Sequence, residues 1–152
     1  MGISSNHEQF MNDWLREVRE IRERKLFFIV QVTFDALGAL IRGSAVDTGT
    51  YRASHDLTIG APSQKKLKRP RNAGPSERQG EASRRESEAE RRLSTLTPEV
   101  LEGGLSIFIT NNLEYAEVLE QGDSERPGRG LYQIARKRAE DNWNTLVQRG
   151  LV

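Results

Sequence analysis

The sequence predicts an α+β fold: a long N-terminal helix packed on a small antiparallel β-sheet, then a short helix and a C-terminal helix, with a long basic insertion loop. Three observations predict it. Residues 8 to 42 contain no proline and a single glycine, Gly38. Leu105, Ile107 and Ile109 alternate with Ser106, Phe108 and Thr110 between Gly103-Gly104 and Asn111-Asn112. Leu131, Ala135, Ala139, Trp143 and Val147 recur at four-residue spacing ahead of Gly150. The first and last patterns have the period of helices, and the middle one has the two-residue period of a strand with one wet face.

In the first helix, Met11, Trp14, Val18 and Ile21 form one apolar stripe among charged residues. From Leu26 to Ile41 the helix is apolar on most faces and must be covered from several sides. Gly43 fits the position just past its end. Residues 52 to 59, where Leu57 and Ile59 alternate with polar residues, predict a strand that pairs with residues 105 to 110. Leu113 to Gln121 predicts a short helix, with Asn112 as its cap and Gly122 as its stop.

Composition bounds the chemistry. The 152 residues suit a single domain spanning 1–152, and 23 Lys and Arg against 22 Asp and Glu leave a net charge of +1. That balance excludes a globally basic nucleic-acid binder but leaves room for local patches. There is no cysteine, so disulfides and thiolate metal sites are excluded, and two well-separated histidines, His7 and His55, argue against zinc or copper. No cofactor is expected. Met1 to Asn12 lacks the charged start and apolar run of a signal peptide, so the cytoplasm is the expected site of synthesis. Gln31, Thr33 and Asp35 interrupt the segment from Leu26 to Ile41, which falls short of the ~18 to 20 apolar residues of a membrane span. A buried helix, with no membrane partner, is the expectation.

Residues 61–98 read as a flexible charged insertion. Between Ser63 and Arg92 ten Lys or Arg face five Glu, and no apolar residue larger than alanine occurs except Leu67. Such a segment has little to bury against an ordering cost of roughly 1 to 2 kcal/mol per residue. Its second half has Glu81 with Arg85 and Glu88 with Arg92 at i,i+4 spacing, so it could turn helical when a partner holds it. Lys65, Lys66, Lys68, Arg69 and Arg71 are the candidates for contact with DNA phosphates or an acidic neighbour. Without aromatic residues to stack on bases, such DNA contact is independent of sequence.

Other short motifs favour bland readings. Asp47-Thr48-Gly49 has the letters of an aspartic-protease site, but that chemistry needs a second aspartate across a β-rich interface. A turn shaped by Asp47 and Gly49 fits better. Gly128-Arg129-Gly130 lacks the Lys-Ser or Lys-Thr of a phosphate loop. Glu114, Glu117 and Glu120 would share one helix face as a solvated or partner-facing strip. Trp14 and Trp143 lie on apolar helix stripes, as core or subunit-contact residues do.

Two segments carry a resemblance. Val46-Asp47-Thr48-Gly49-Thr50-Tyr51-Arg52-Ala53-Ser54 resembles the Val-Asp-Thr-Gly-x-Leu-Arg-x-Ser segment of the neck, tail-completion or minor tail proteins of long-tailed bacteriophages. That family's second hallmark, Asn-x-x-x-Tyr-Ala-x-x-x-Glu-x-Gly after a strand, is similar to Asn111, Tyr115, Ala116, Glu120 and Gly122. The likeness covers roughly residues 8 to 60 and 100 to 147. Tyr51 stands where leucine is usual, Ala45 where proline is frequent, and residues 126 to 132 replace a Pro-Phe-Leu segment. The resemblance implies a small non-catalytic α+β subunit whose structural motif comprises Asp47, Thr48, Gly49, Tyr51, Arg52, Ser54 and the second-hallmark residues. It implies a ring, usually of six copies, at the head–tail junction of the virion. Its partners would be further copies of itself, a head-closure or connector protein and a tail terminator or tail-tube protein, with genomic DNA passing through. The other reading is a small DNA-associated regulator using the basic loop 65–71.

Overall fold

The computed structural model describes residues 3–44, 51–65, 75–122 and 130–152. Within them the fold is α+β. Helix α1 (Ile3–Gly43) leads through a single 3₁₀ turn (Arg52–Ser54) to strand β1 (His55–Ile59). Helices α2 (Pro75–Leu93) and α3 (Pro98–Glu102), strand β2 (Ile107–Asn111), helix α4 (Ala116–Gln121) and helix α5 (Leu131–Gln148) follow.

With nothing to break it, α1 runs for 41 residues, or about 60 Å at 1.5 Å per residue. It ends where Ser44 returns both its N–H and its Oγ–H to the Leu40 carbonyl, at 3.0 and 2.6 Å. The two strands pair antiparallel, with Leu57 opposite Ile109 and Ile59 opposite Ile107. These four side chains pack with Leu37 and Ile41 of α1, so the predicted alternation marks the core-facing side of the sheet.

Strand β1 is shorter than the predicted 52–59. The Ser54 N–H bonds back to Tyr51 O at 3.2 Å, and Ala53 O is taken by Arg85 Nε at 3.2 Å. Those backbone groups are committed before a ladder could use them. Arg52 and Ser54 therefore precede the strand and do not begin it. Strand β2 likewise starts two residues after Leu105 and extends to Asn111.

The largest correction concerns the insertion. Residues 75–93 and 98–102 are helical, and Ala89, Leu93 and Leu96 belong to the main core with Leu37, Ile41 and Leu57. Ala89 and Leu93, one turn apart, form a narrow apolar edge at the end of a polar helix, and Leu96 joins them from the link that follows. Arginines add to it. Arg92 reaches Asp56 at 3.0 Å, Glu88 at 2.5 Å and the Leu57 carbonyl. The partner that holds this helix is the chain's own β1, and the Glu88–Arg92 pair is one of the two read from spacing.

Asn112 does not cap α4, which starts at Ala116. Its Nδ2 instead donates to Ser63 O at 2.6 Å and Lys65 O at 3.3 Å. Gly122 does end α4, at φ 83° and ψ 176°, a region closed to residues with a side chain.

Helix α5 lies antiparallel along α1, its Leu131 next to Gly43 and its Ala139 and Trp143 next to Ile29, Val32 and Thr33. Leu146 takes the half-buried place predicted for Val147, which is exposed. By length and composition α1 also passes as a membrane-crossing helix, with a mean hydropathy of 1.5 in its most apolar stretch. The C-terminal end of α1, Leu37, Leu40 and Ile41, is buried in the protein's own core.

Candidate functional site at the Tyr51–Glu120 joint

The two hallmark segments meet at Tyr51. Its ring is 2% exposed and packs with Leu113 and Ala116, flanked by Tyr115, Leu119 and Leu131. Its hydroxyl donates to Glu120 Oε1 at 2.6 Å. The other oxygen of Glu120 accepts the Tyr132 N–H at 3.0 Å, in the first turn of α5. Asn111 Nδ2 donates to Tyr51 O at 3.1 Å, and Asn111 Oδ1 accepts the Leu113 N–H at 3.2 Å. One carboxylate and one amide thus tie the segment after α1, the end of β2, α4 and the start of α5 into a single joint.

A second chain of hydrogen bonds runs beneath it. His55, 1% exposed, has Ser44 Oγ 2.8 Å from Nε2 and Tyr132 Oη 3.0 Å from Nδ1. Tyr51 meets its ring edge-on at 5.1 Å. Ser, His and an orienting partner in line suggest a nucleophile and its base, so the direction of donation decides the chemistry. Leu40 O can only accept, so Ser44 gives its proton there, and Ser44 Oγ must accept from His55 Nε2–H. Nδ1 then accepts from the Tyr132 hydroxyl. Every proton in this chain points away from activating Ser44, and the imidazole acts as a neutral brace.

Electrostatics agree with that assignment. Burial lowers the His55 pKa to about 4, because charging the ring there would forfeit hydration with no carboxylate in its hydrogen bonds to compensate. Burial, then the Glu120 carboxylate, holds the Tyr51 hydroxyl well above the usual phenol range. The same two causes, in the same order, raise Tyr132.

Of the predicted motif residues, Asp47, Thr48 and Gly49 lie outside the described residues. Tyr51, Asn111, Ala116 and Glu120 are brought together, and Gly122 closes α4 beside them through a bond from its N–H to Val118 O at 2.7 Å. Ser54 is buried in the 3₁₀ turn. Arg52 and Tyr115 are half-buried, and among the described residues Arg52 Nε and Tyr115 Oη find no hydrogen-bond partner.

The predicted acidic strip is not one. Glu120 turns inward to the two tyrosines while Glu114 and Glu117 face solvent. Of the basic candidates only exposed Lys65 is described; Lys66, Lys68, Arg69 and Arg71 lie outside. Ser44, His55 and Tyr132 were missed as site residues. A single histidine in a strand carries no spacing signal, and its partners lie 11 and 77 residues away. Among the described residues no group of three or more His, Asp or Glu could hold a metal ion. No known protein-family model, curated protein or solved structure matches this chain.

Proposed function

We propose that this chain is a non-catalytic structural subunit of the bacteriophage head–tail junction. It forms a ring, six copies by the family resemblance, that joins the head connector to the tail and lets DNA pass. One observation carries the reading: the two segments that resemble the neck-protein hallmarks are 60 residues apart or more, yet they pack as one joint through Tyr51, Asn111 and Glu120. A motif whose residues bond to each other and not to an open cleft suits a fixed subunit geometry repeated around an axis. The neutral, inward-donating Ser44–His55–Tyr132 chain favours a structural over a hydrolytic role.

The experiment is to measure the chain's mass in solution and its presence in purified virions. Oligomers in solution, and a fixed stoichiometry relative to the connector in particles, are the expected result. A stable monomer absent from purified particles would sink the proposal.

A further inference from the structure

The N-terminal half of α1 exposes an apolar stripe that nothing in the described fold covers. Phe10 is 64% exposed, Trp14 50%, Leu15 51%, Ile21 51% and Met11 37%, and half-buried Val18 completes the row. The opposite side is charged and self-satisfied, with Asp13 and Arg16 paired at 2.9 Å. The stripe is a continuation of a face already used for helix packing. Met11, Trp14 and Leu15 lie 18 residues, five full turns, before Ile29, Val32 and Thr33, and so point the same way. Ile29, Val32 and Thr33 line the groove against Ala139 and Trp143 of α5. Helix α5 spans 18 residues against the 41 of α1, and α3 reaches only as far as Arg22, paired with Glu102 at 3.0 Å. Beyond that point α1 is an arm with a bare helix-packing face.

We propose that this arm packs against the same arm of a second copy, parallel and in register. Met11 and Val18 on one line and Trp14 and Ile21 on the other repeat at seven residues, the spacing of a helix–helix seam. Parallel register fixes the flanks. Phe10 then lies across from Leu15 of the next helix, and Glu17 across from Arg22, so apolar meets apolar and acid meets base. An antiparallel pairing through the middle of the stripe would set Glu17 against its own copy and Arg24 beside Phe10. Lys25, one heptad after Val18, would meet its own copy and ends the seam. Six side chains are fewer than the roughly 20 to 30 residues a side of a standard interface, so the contact gains strength when each arm touches two neighbours about a rotation axis. Parallel arms are what such an axis produces. The number of copies rests on the ring reading above; the contact itself does not.

Because the chain contains no cysteine, Met11→Cys is a clean probe. The intact chain carrying it should oxidise to a disulfide-linked dimer, since like residues face each other only in a parallel seam. Trp14→Glu with Ile21→Glu should turn the wild-type oligomer into smaller species at unchanged helicity, both sites being exposed. Several outcomes overturn the proposal: no crosslink at residue 11, oligomers that survive the double substitution, or a monomer that binds neutral or anionic lipid vesicles through the stripe. An arm contact in solution with no protein in virions would refute the virion reading and leave the arm contact standing. Virion incorporation unaffected by the double substitution would do the reverse.

Discussion

The joint around Tyr51 and the clamp around Arg92 flank the same strand, but their chemistry is opposite. In the joint, two tyrosines share one carboxylate, Glu120, and neutral His55, Ser44 and Asn111 bond to those tyrosines or to each other. In the clamp, Arg92 serves two carboxylates and a backbone carbonyl, and Arg85 beside it binds Glu88 and Ala53 O. The joint is directional and is broken by misplacing one donor. The clamp rests on charge and is broken by removing it. The difference teaches how an arginine- and glutamate-rich segment, poor in apolar residues, can still be part of a core.

Four measurements would break or sharpen the contrast. The largest effect belongs to Arg92→Ala. Asp56, whose side chain is only 11% exposed, would lose its partner, and uncompensated buried charge costs about 3 kcal/mol. Denaturant titration should show that loss together with early melting of residues 75–93 in hydrogen exchange. An unchanged midpoint would remove the clamp from the core.

Acid comes second and tests the joint alone. His55 has a folded pKa of about 4, below the ~6.5 of an unfolded histidine. The preference for its neutral form is therefore fully present above pH 6.5 and is lost as pH falls from 6.5 towards 4, by up to about 3 kcal/mol. His55→Gln should flatten that slope, and an equally steep acid loss in the variant would show that His55 does not carry it.

Third, Tyr51→Phe leaves Glu120 Oε1 without its donor and should cost about 1.5 to 2 kcal/mol, the range of a hydrogen bond to a charged acceptor. If hydrogen exchange in the α4 and α5 amides stayed as slow as in the wild type, Tyr51 would not be what ties the joint together. The smallest effect is the control. Arg136 and Glu140 pair at 2.8 Å on the exposed face of α5, and Arg136→Ala should leave the unfolding midpoint where it was.

What could be read from the chain divides along the same line. The α+β class, the antiparallel pairing and the inward positions of Leu57, Ile59, Ile107 and Ile109 follow from period alone. The joint was legible as two motifs, though not as a hydrogen-bond network, because Tyr51 and Glu120 are 69 residues apart. The clamp was misread. The charge between Ser63 and Arg92 hides Ala89, and Leu93 and Leu96 come only just after it, the last beyond the end of α2. The arginines that reach β1 look the same in sequence as those that face water. Helix starts were misplaced where side chains had other duties: Asn112 spends its amide on Ser63 and Lys65, leaving α4 to begin three residues later than the pattern suggests.

The continuity of α1 ties the free arm to the joint mechanically. Between Trp14 and Ser44 the chain has no proline and two glycines, Gly38 and Gly43, the second only at the helix end, so it behaves as a stiff rod about 45 Å long over that span. One end lies in the exposed stripe, and the other ends on the serine that braces His55. A twist imposed on the arm by a neighbour would reach the imidazole as a change in its hydrogen-bond angles. The resonance of His55 would then act as a strain gauge, reporting from inside one subunit how its arm is held.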